Sequence, residues 1–159
     1  MNNLFSISMD LDGNVWVGTD MGPAVFYNPG KVFSSDLKAS RIKIPCNDGT
    51  GLADYLLGTE TVTAISVDGA NRKWFGTLSS GAYLMSDDAR TELAHFNTLN
   101  SPMLSDNVVK VAVNGKTGEV WFGTTEGIIS YRGEATSGGE DFQAYMHSPT
   151  RSGMILKEL

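Results

Sequence analysis

Cysteine, histidine and long apolar runs are the scarce features of this 159-residue sequence. A single cysteine, Cys46, excludes an internal disulfide framework and any cysteine-rich zinc site. No apolar run approaches the roughly 20 residues that span a bilayer, so no segment reads as a membrane span. Basic residues are outnumbered, 12 against 18 acidic. The net charge of −6 argues against a nucleic-acid binder, which needs a basic face. Residues 1–25 lack the basic-then-apolar pattern of a secretion signal, which fits either a cytosolic protein or a piece cut from a longer precursor. An apolar share of 41% is too high for a disordered chain. The length allows one domain with a real core. Glycine is over-supplied, with 18 in the chain against an ordinary share of about 7%.

The glycines belong to a repeat, and repeats decide a fold. Three segments align on a tryptophan: Ile7–Thr19 ending Trp16-Val17-Gly18-Thr19, Ile65–Thr77 ending Trp74-Phe75-Gly76-Thr77, and Val111–Thr124 ending Trp121-Phe122-Gly123-Thr124. Each is followed by a further glycine (Gly22, Gly81, Gly127) and a short apolar run. The tryptophans are 58 and 47 residues apart. The shorter spacing is close to the ~40–50 residues of a four-stranded propeller blade. The longer one implies an insertion at 28–60. Alternation places Phe5, Ile7 and Met9 on one strand face, matched by Thr63, Ile65, Val67 and by Val109, Val111, Val113. The other face is mostly small (Ser6, Ser8, Ala64, Ser66, and Ala112 beside Lys110), which places these as innermost strands. Asp12-Gly13-Asn14, Asp68-Gly69-Ala70-Asn71 and Asn114–Gly118 read as hairpin turns, and Glu92–Phe96 as a fourth strand. The glycine inside W-x-G-T predicts a close backbone approach or a bulge.

These residues resemble the two-component-regulator propeller repeat of envelope sensors and surface proteins in the Bacteroidetes group. Asp68–Trp74, Asn100-Ser101-Pro102 and Thr117–Thr124 are also similar to the last propeller blades of the PorZ-type surface proteins of type IX secretion. In that family the propellers bind partners and surface glycan and do no chemistry, and an immunoglobulin-like domain follows. The resemblance therefore implies non-enzymatic recognition in the periplasm or at the cell surface, with a protein partner or surface glycan. The likeness fades at Ala144–Pro149, so docking through that next domain is not carried over.

No chemical motif competes with this. Asp10-Leu11-Asp12-Gly13-Asn14 has the look of a calcium loop, but it lacks the third acidic position and the bidentate glutamate. Asp68 repeats Asp10, so both read as residues of a solvated turn. His95 and His147 lack metal-ligand spacing, and His95 reads as a partly exposed, solvent-bonded imidazole in an outer strand. Cys46 has no histidine partner nearby and reads as inert. Asp87-Asp88 and Glu140-Asp141 read as solvated turn carboxylates. Neither a metal nor a cofactor is expected. Trp16, Trp74 and Trp121, with Gly18, Thr19, Gly76, Thr77, Gly123 and Thr124, read as packing between units rather than sugar platforms. The connections after W-x-G-T and before each inner strand are the binding candidates, because loops on a rigid scaffold carry function. They supply Asp20, Met21, Leu78, Ser79, Ser80, Thr125 and Glu126, with Asn2, Glu60 and Asp106.

The expected fold is all-β, a partial β-propeller of three four-stranded blades at about 1–58, 59–104 and 105–132. A polar tail or linker follows at 133–159, with room for an edge strand. Function reads first as a non-enzymatic, type IX secretion-like recognition module. The alternatives are the ligand-sensing propeller of a hybrid two-component sensor kinase and a polysaccharide lyase-like propeller enzyme. Closed propellers use four to eight blades. Three predict either a fragment of a larger propeller or a homodimer that buries the end blades.

Overall fold

The computed structural model describes residues 3–31, 33, 38–45, 53–133 and 153–156. Asn2, Cys46, Glu140-Asp141 and His147 lie outside them. One 3-10 turn, Pro29–Lys31, is the sole helical element among the described residues; everything else regular is strand. No helix there is long and apolar enough to cross a membrane.

Three four-stranded antiparallel sheets follow one another along the chain. The first contains β1 (Leu4–Met9), β2 (Val15–Thr19), β3 (Gly22–Phe26) and β4 (Ser40–Arg41). A separate hairpin, β5 (Lys43–Pro45) and β6 (Ala53–Tyr55), occupies part of the inserted stretch. The second sheet contains β7 (Val62–Val67), β8 (Lys73–Thr77), β9 (Ala82–Met85) and β10 (Glu92–Phe96). The third contains β11 (Val108–Val113), β12 (Glu119–Thr124), β13 (Gly127–Arg132) and β14 (Gly153–Leu156). Each sheet is a meander, and their first strands neighbour one another, β1 beside β7 and β7 beside β11. This is an all-β partial propeller of three blades.

Two cores lie between the blades. One face of the second sheet, with Ile65, Phe75 and Met85, meets Trp16 and Val25 of the first. Its other face, with Trp74, Ala82 and Leu84, meets Val120, Phe122 and Ile129 of the third. Strand alternation makes this possible, because neighbouring residues point to opposite faces. Burial of each such side chain contributes about 1.5–3 kcal/mol. The glycine of W-x-G-T sets the spacing. A Cβ at Gly76 would stand 2.7 Å from Val108 Cγ1, and one at Gly18 would collide with Ser6 and the Val62 carbonyl. Glycine therefore lets the next blade's inner strand close in. At Gly123 the nearest atom would be 3.8 Å away.

The repeated aspartate is not the solvated turn residue that the sequence implied. Asp10 is buried and accepts from the backbone N–H groups of Asp12 and Asn14 and from the Trp16 indole, the last at 2.8 Å. Asp68 does the same in the second blade, binding Arg72 and the Trp74 indole. The carboxylate folds the hairpin turn and anchors the tryptophan that packs between blades. Burial favours the neutral acid at Asp10, but the indole, Asn14 and the Lys73 charge hold its pKa below the ordinary value.

Candidate functional site

The W-x-G-T turns are built alike. Thr19, Thr77 and Thr124 each donate a hydroxyl to the carbonyl of the following glycine, at 2.6, 2.8 and 2.9 Å. The same hydroxyls accept from the turn N–H groups of Met21, Ser80 and Glu126. Gly22 and Gly81 have φ near +80°, a region that favours glycine. Backbone bonds then tie these turns to the segments entering the inner strands: Gly22 to Glu60, Leu78 to Thr61, Gly81 to Asp106 and Thr125 to Asn107. The result is a laced rim at one end of the blades.

A cleft of about 370 Å³ opens at this end, beside the inner strands. Each inner strand has a register break opposite its W-x-G-T glycine, between Leu4 and Ser6, Val62 and Ala64, and Val108 and Lys110. A bulge re-aims the extra residue. The three residues concerned, Phe5, Thr63 and Val109, all line the cleft. Thr63 also bridges blades, its hydroxyl directed to the carbonyls of Gly76 and Val108. Thr61, Asn107 and Lys110 complete the wall with Leu78 and Thr125.

Of the sequence-predicted residues, Leu78 and Thr125 are brought together in the cleft, and both are exposed. The others stand around the rim without lining it. Asp106 is engaged by the Thr98 N–H and hydroxyl, and Ser79 reaches Glu60 at 3.3 Å. The Ser80 carbonyl lies 2.6 Å from His95 Nε2. The Met21 carbonyl accepts from Arg41, and Asp20 and Glu126 flank their turns. Sequence reasoning missed Thr61, Asn107 and Lys110, and it missed Phe5, Thr63 and Val109 because strand alternation alone does not show which way a bulge turns a residue. His95 is partly exposed, as its outer-strand position implies, but its imidazole bonds the Ser80 carbonyl rather than solvent and stacks on Tyr83 at 3.9 Å. Burial and the charges of Glu60 and Glu92 push the Tyr83 phenol above its ordinary pKa. No group of three or more histidine, cysteine or acidic side chains placed to hold a metal occurs among the described residues.

No protein-family model and no curated protein matches the chain. Among solved structures it is similar to PorZ, an essential surface component of the type IX secretion system of Porphyromonas gingivalis. That match has 34% identity and a TM-score of 0.78 over 87% of this chain. The chain spans only 18% of PorZ's length. It also resembles the extracellular domain of a hybrid two-component system from B. thetaiotaomicron, at 23% identity and TM-score 0.62, covering 85% of this chain and 16% of that one. A gluconolactonase-type protein matches at 11% identity and TM-score 0.57, over 84% of this chain and 40% of its own. The last two speak to the fold alone. Sequence repeat and structural likeness agree on a three-blade, PorZ-like partial propeller, similar to surface and sensor domains that carry such repeats.

Proposed function

We propose that the chain is a non-enzymatic recognition module of an extracytoplasmic surface protein, type IX secretion-like, that engages a protein partner or surface glycan through its laced end. One observation carries this reading. The inner-strand bulges of all three blades and the W-x-G-T turns of the second and third converge on one cleft edged by hydroxyl, amide, lysine and apolar groups. Such a mixed, pre-formed lining suits binding, since apolar contact supplies affinity and a few polar groups set orientation. The threonine clasps hold the turns rigid, which lowers the ordering cost of association. Similarity to a surface component of a secretion system favours the same setting for this chain.

The test is a glycan array, paired with binding to purified envelope proteins, for the wild type and a Leu78→Asp/Thr125→Arg double variant. Both positions are exposed, so the variant should keep its circular dichroism spectrum. Wild-type binding that falls about tenfold or more in the variant is expected. Unchanged binding by the variant would overturn the site. Turnover of an acidic polysaccharide that vanishes on replacing Glu60 and Asp106 would overturn the non-enzymatic reading.

A further inference from the structure

We infer that a second site, for a small zwitterion of the aliphatic amino-acid class, lies where the inserted hairpin meets the outer strands of the second blade. The inference is independent of the recognition reading, because this site shares no lining residue with the laced-end cleft. A hollow of about 430 Å³ opens there, within the size range of small-molecule pockets. Its floor is aliphatic: Ile44 from β5, Leu56 and Leu57 from the turn after β6, and Met85 from β9. All four belong to the first inter-blade core or pack against it, which holds the floor in place.

Opposite charges stand at the lip. Arg90 and Glu92 both line the hollow and both are exposed. Arg90 reaches Asp88 only at 4.0 Å, the outer limit of an ion pair, while Asp88 is taken up by the Ser86 hydroxyl at 2.6 Å and the Arg90 N–H at 3.0 Å. The Glu92 carboxylate has no hydrogen bond or ion pair among the described residues. Backbone strain marks the same place. Of the described residues other than glycine that have positive φ, Asn28 and Asn71 are of a type that tolerates it. The other two are Leu57, at +47°, which lines the hollow, and Ala89, at +56°, which precedes Arg90 and is fully buried in the first core. Strain of this kind gathers at ligand sites, where the fold holds a residue against its preference. Here it fixes a leucine on the floor and the backbone that carries the arginine.

The lining selects the ligand. A carboxylate placed on Arg90 gains charge-assisted, bidentate bonding. A plain carboxylic acid would then stand beside the Glu92 charge, whereas an amino acid offers that charge its ammonium. The aliphatic side chain of the ligand meets the floor. A sugar fits poorly. Four aliphatic side chains would desolvate its hydroxyls without replacing their hydrogen bonds, and one face of the Tyr83 ring is already covered by His95 at 3.9 Å.

The experiment titrates the whole chain with leucine, leucinamide (no carboxylate) and N-acetyl-leucine (no ammonium), followed by calorimetry and amide chemical shifts. The proteins compared are the wild type, Arg90→Gln and Glu92→Gln. Both positions are exposed, and circular dichroism checks that each variant folds. Leucine should bind the wild type with a dissociation constant of about 1 mM or tighter, shifting the amides of Leu57, Met85 and Thr91. Removing either the guanidinium or the ligand carboxylate should weaken binding about tenfold or more, with no further loss when both are absent. Glu92→Gln should weaken leucine in the same way but leave N-acetyl-leucine unchanged. No saturable binding of leucine, shifts confined to the laced-end cleft, or an Arg90→Gln variant that weakens leucine and leucinamide equally would each overturn the inference.

Discussion

Lys73 Nζ, in the second blade, lies 3.5 Å from Asp10 Oδ2, in the first, with both side chains withdrawn from water at 1% and 2% exposure. The lysine also donates to the carbonyls of Asn71 and Asp87 and sits over the Trp16 ring. The contact joins the hairpin turn of one blade to the strand of the next. Asn71 extends it, its side chain bonded to the Leu11 N–H and to Asp12.

Removing one member of a buried pair strands the other, at a cost of about 3–5 kcal/mol. Asp10→Ala should approach that figure, because it leaves the lysine buried and also frees the Trp16 indole. Lys73→Met should cost less, about 1–3 kcal/mol, since Asp10 keeps its neutral donors and the stem volume is retained. Urea midpoints for the two variants check the order; equal losses would contradict it.

Acid should dissolve the same contribution. The folded pKa of Asp10 is depressed, so its stabilisation is present above the unfolded value near 4 and is lost as pH falls through the folded one. The stability gap between wild type and Asp10→Asn should be constant from about pH 7 to 5 and narrow below about 4. A gap that widens on acidification would reverse the assignment. The measurement is urea unfolding across that range.

The three W-x-G-T glycines should respond unequally to alanine. Gly18→Ala and Gly76→Ala push a methyl group into the next inner strand and should cost about 1–3 kcal/mol. Gly123→Ala makes only ordinary contact with Lys110, 3.8 Å away, and should change stability by less than about 0.5 kcal/mol. Thermal unfolding of the three variants tests this gradient.

Thr77→Val keeps the shape of a buried side chain but deletes the hydroxyl shared by the Gly81 carbonyl and the Ser80 N–H. A loss of about 1–2 kcal/mol is expected, with Thr77→Ser recovering part of it. Faster amide exchange at Ser80 in the valine variant would be the local sign.

The blade architecture was legible because its chemistry recurs. Tryptophan, glycine and threonine at fixed offsets announce the packing, and Glu92–Phe96 is long enough to read as the second blade's outer strand. Ser40–Arg41 and the β5–β6 hairpin were not, since strands of two or three residues carry no period. Asp10 was misread for another reason. Its turn is polar on its own, and the lysine that buries it comes from the next repeat. Only the tertiary fold brings them together. The cleft was half legible: Leu78 and Thr125 lie in turns, which draw attention as loops do, whereas Thr63 and Val109 lie in strands where only the bulge turns them.

The central claim is that recognition takes place at the laced end. Amide chemical shifts, followed during titration with the strongest binder from the array, test it most directly. The account predicts perturbations at Thr61, Thr63, Leu78, Asn107 and Thr125, with the opposite-end turns around Gly13, Asn71 and Gly115 unmoved. Perturbations confined to those hairpin turns, with the cleft residues silent, would contradict it.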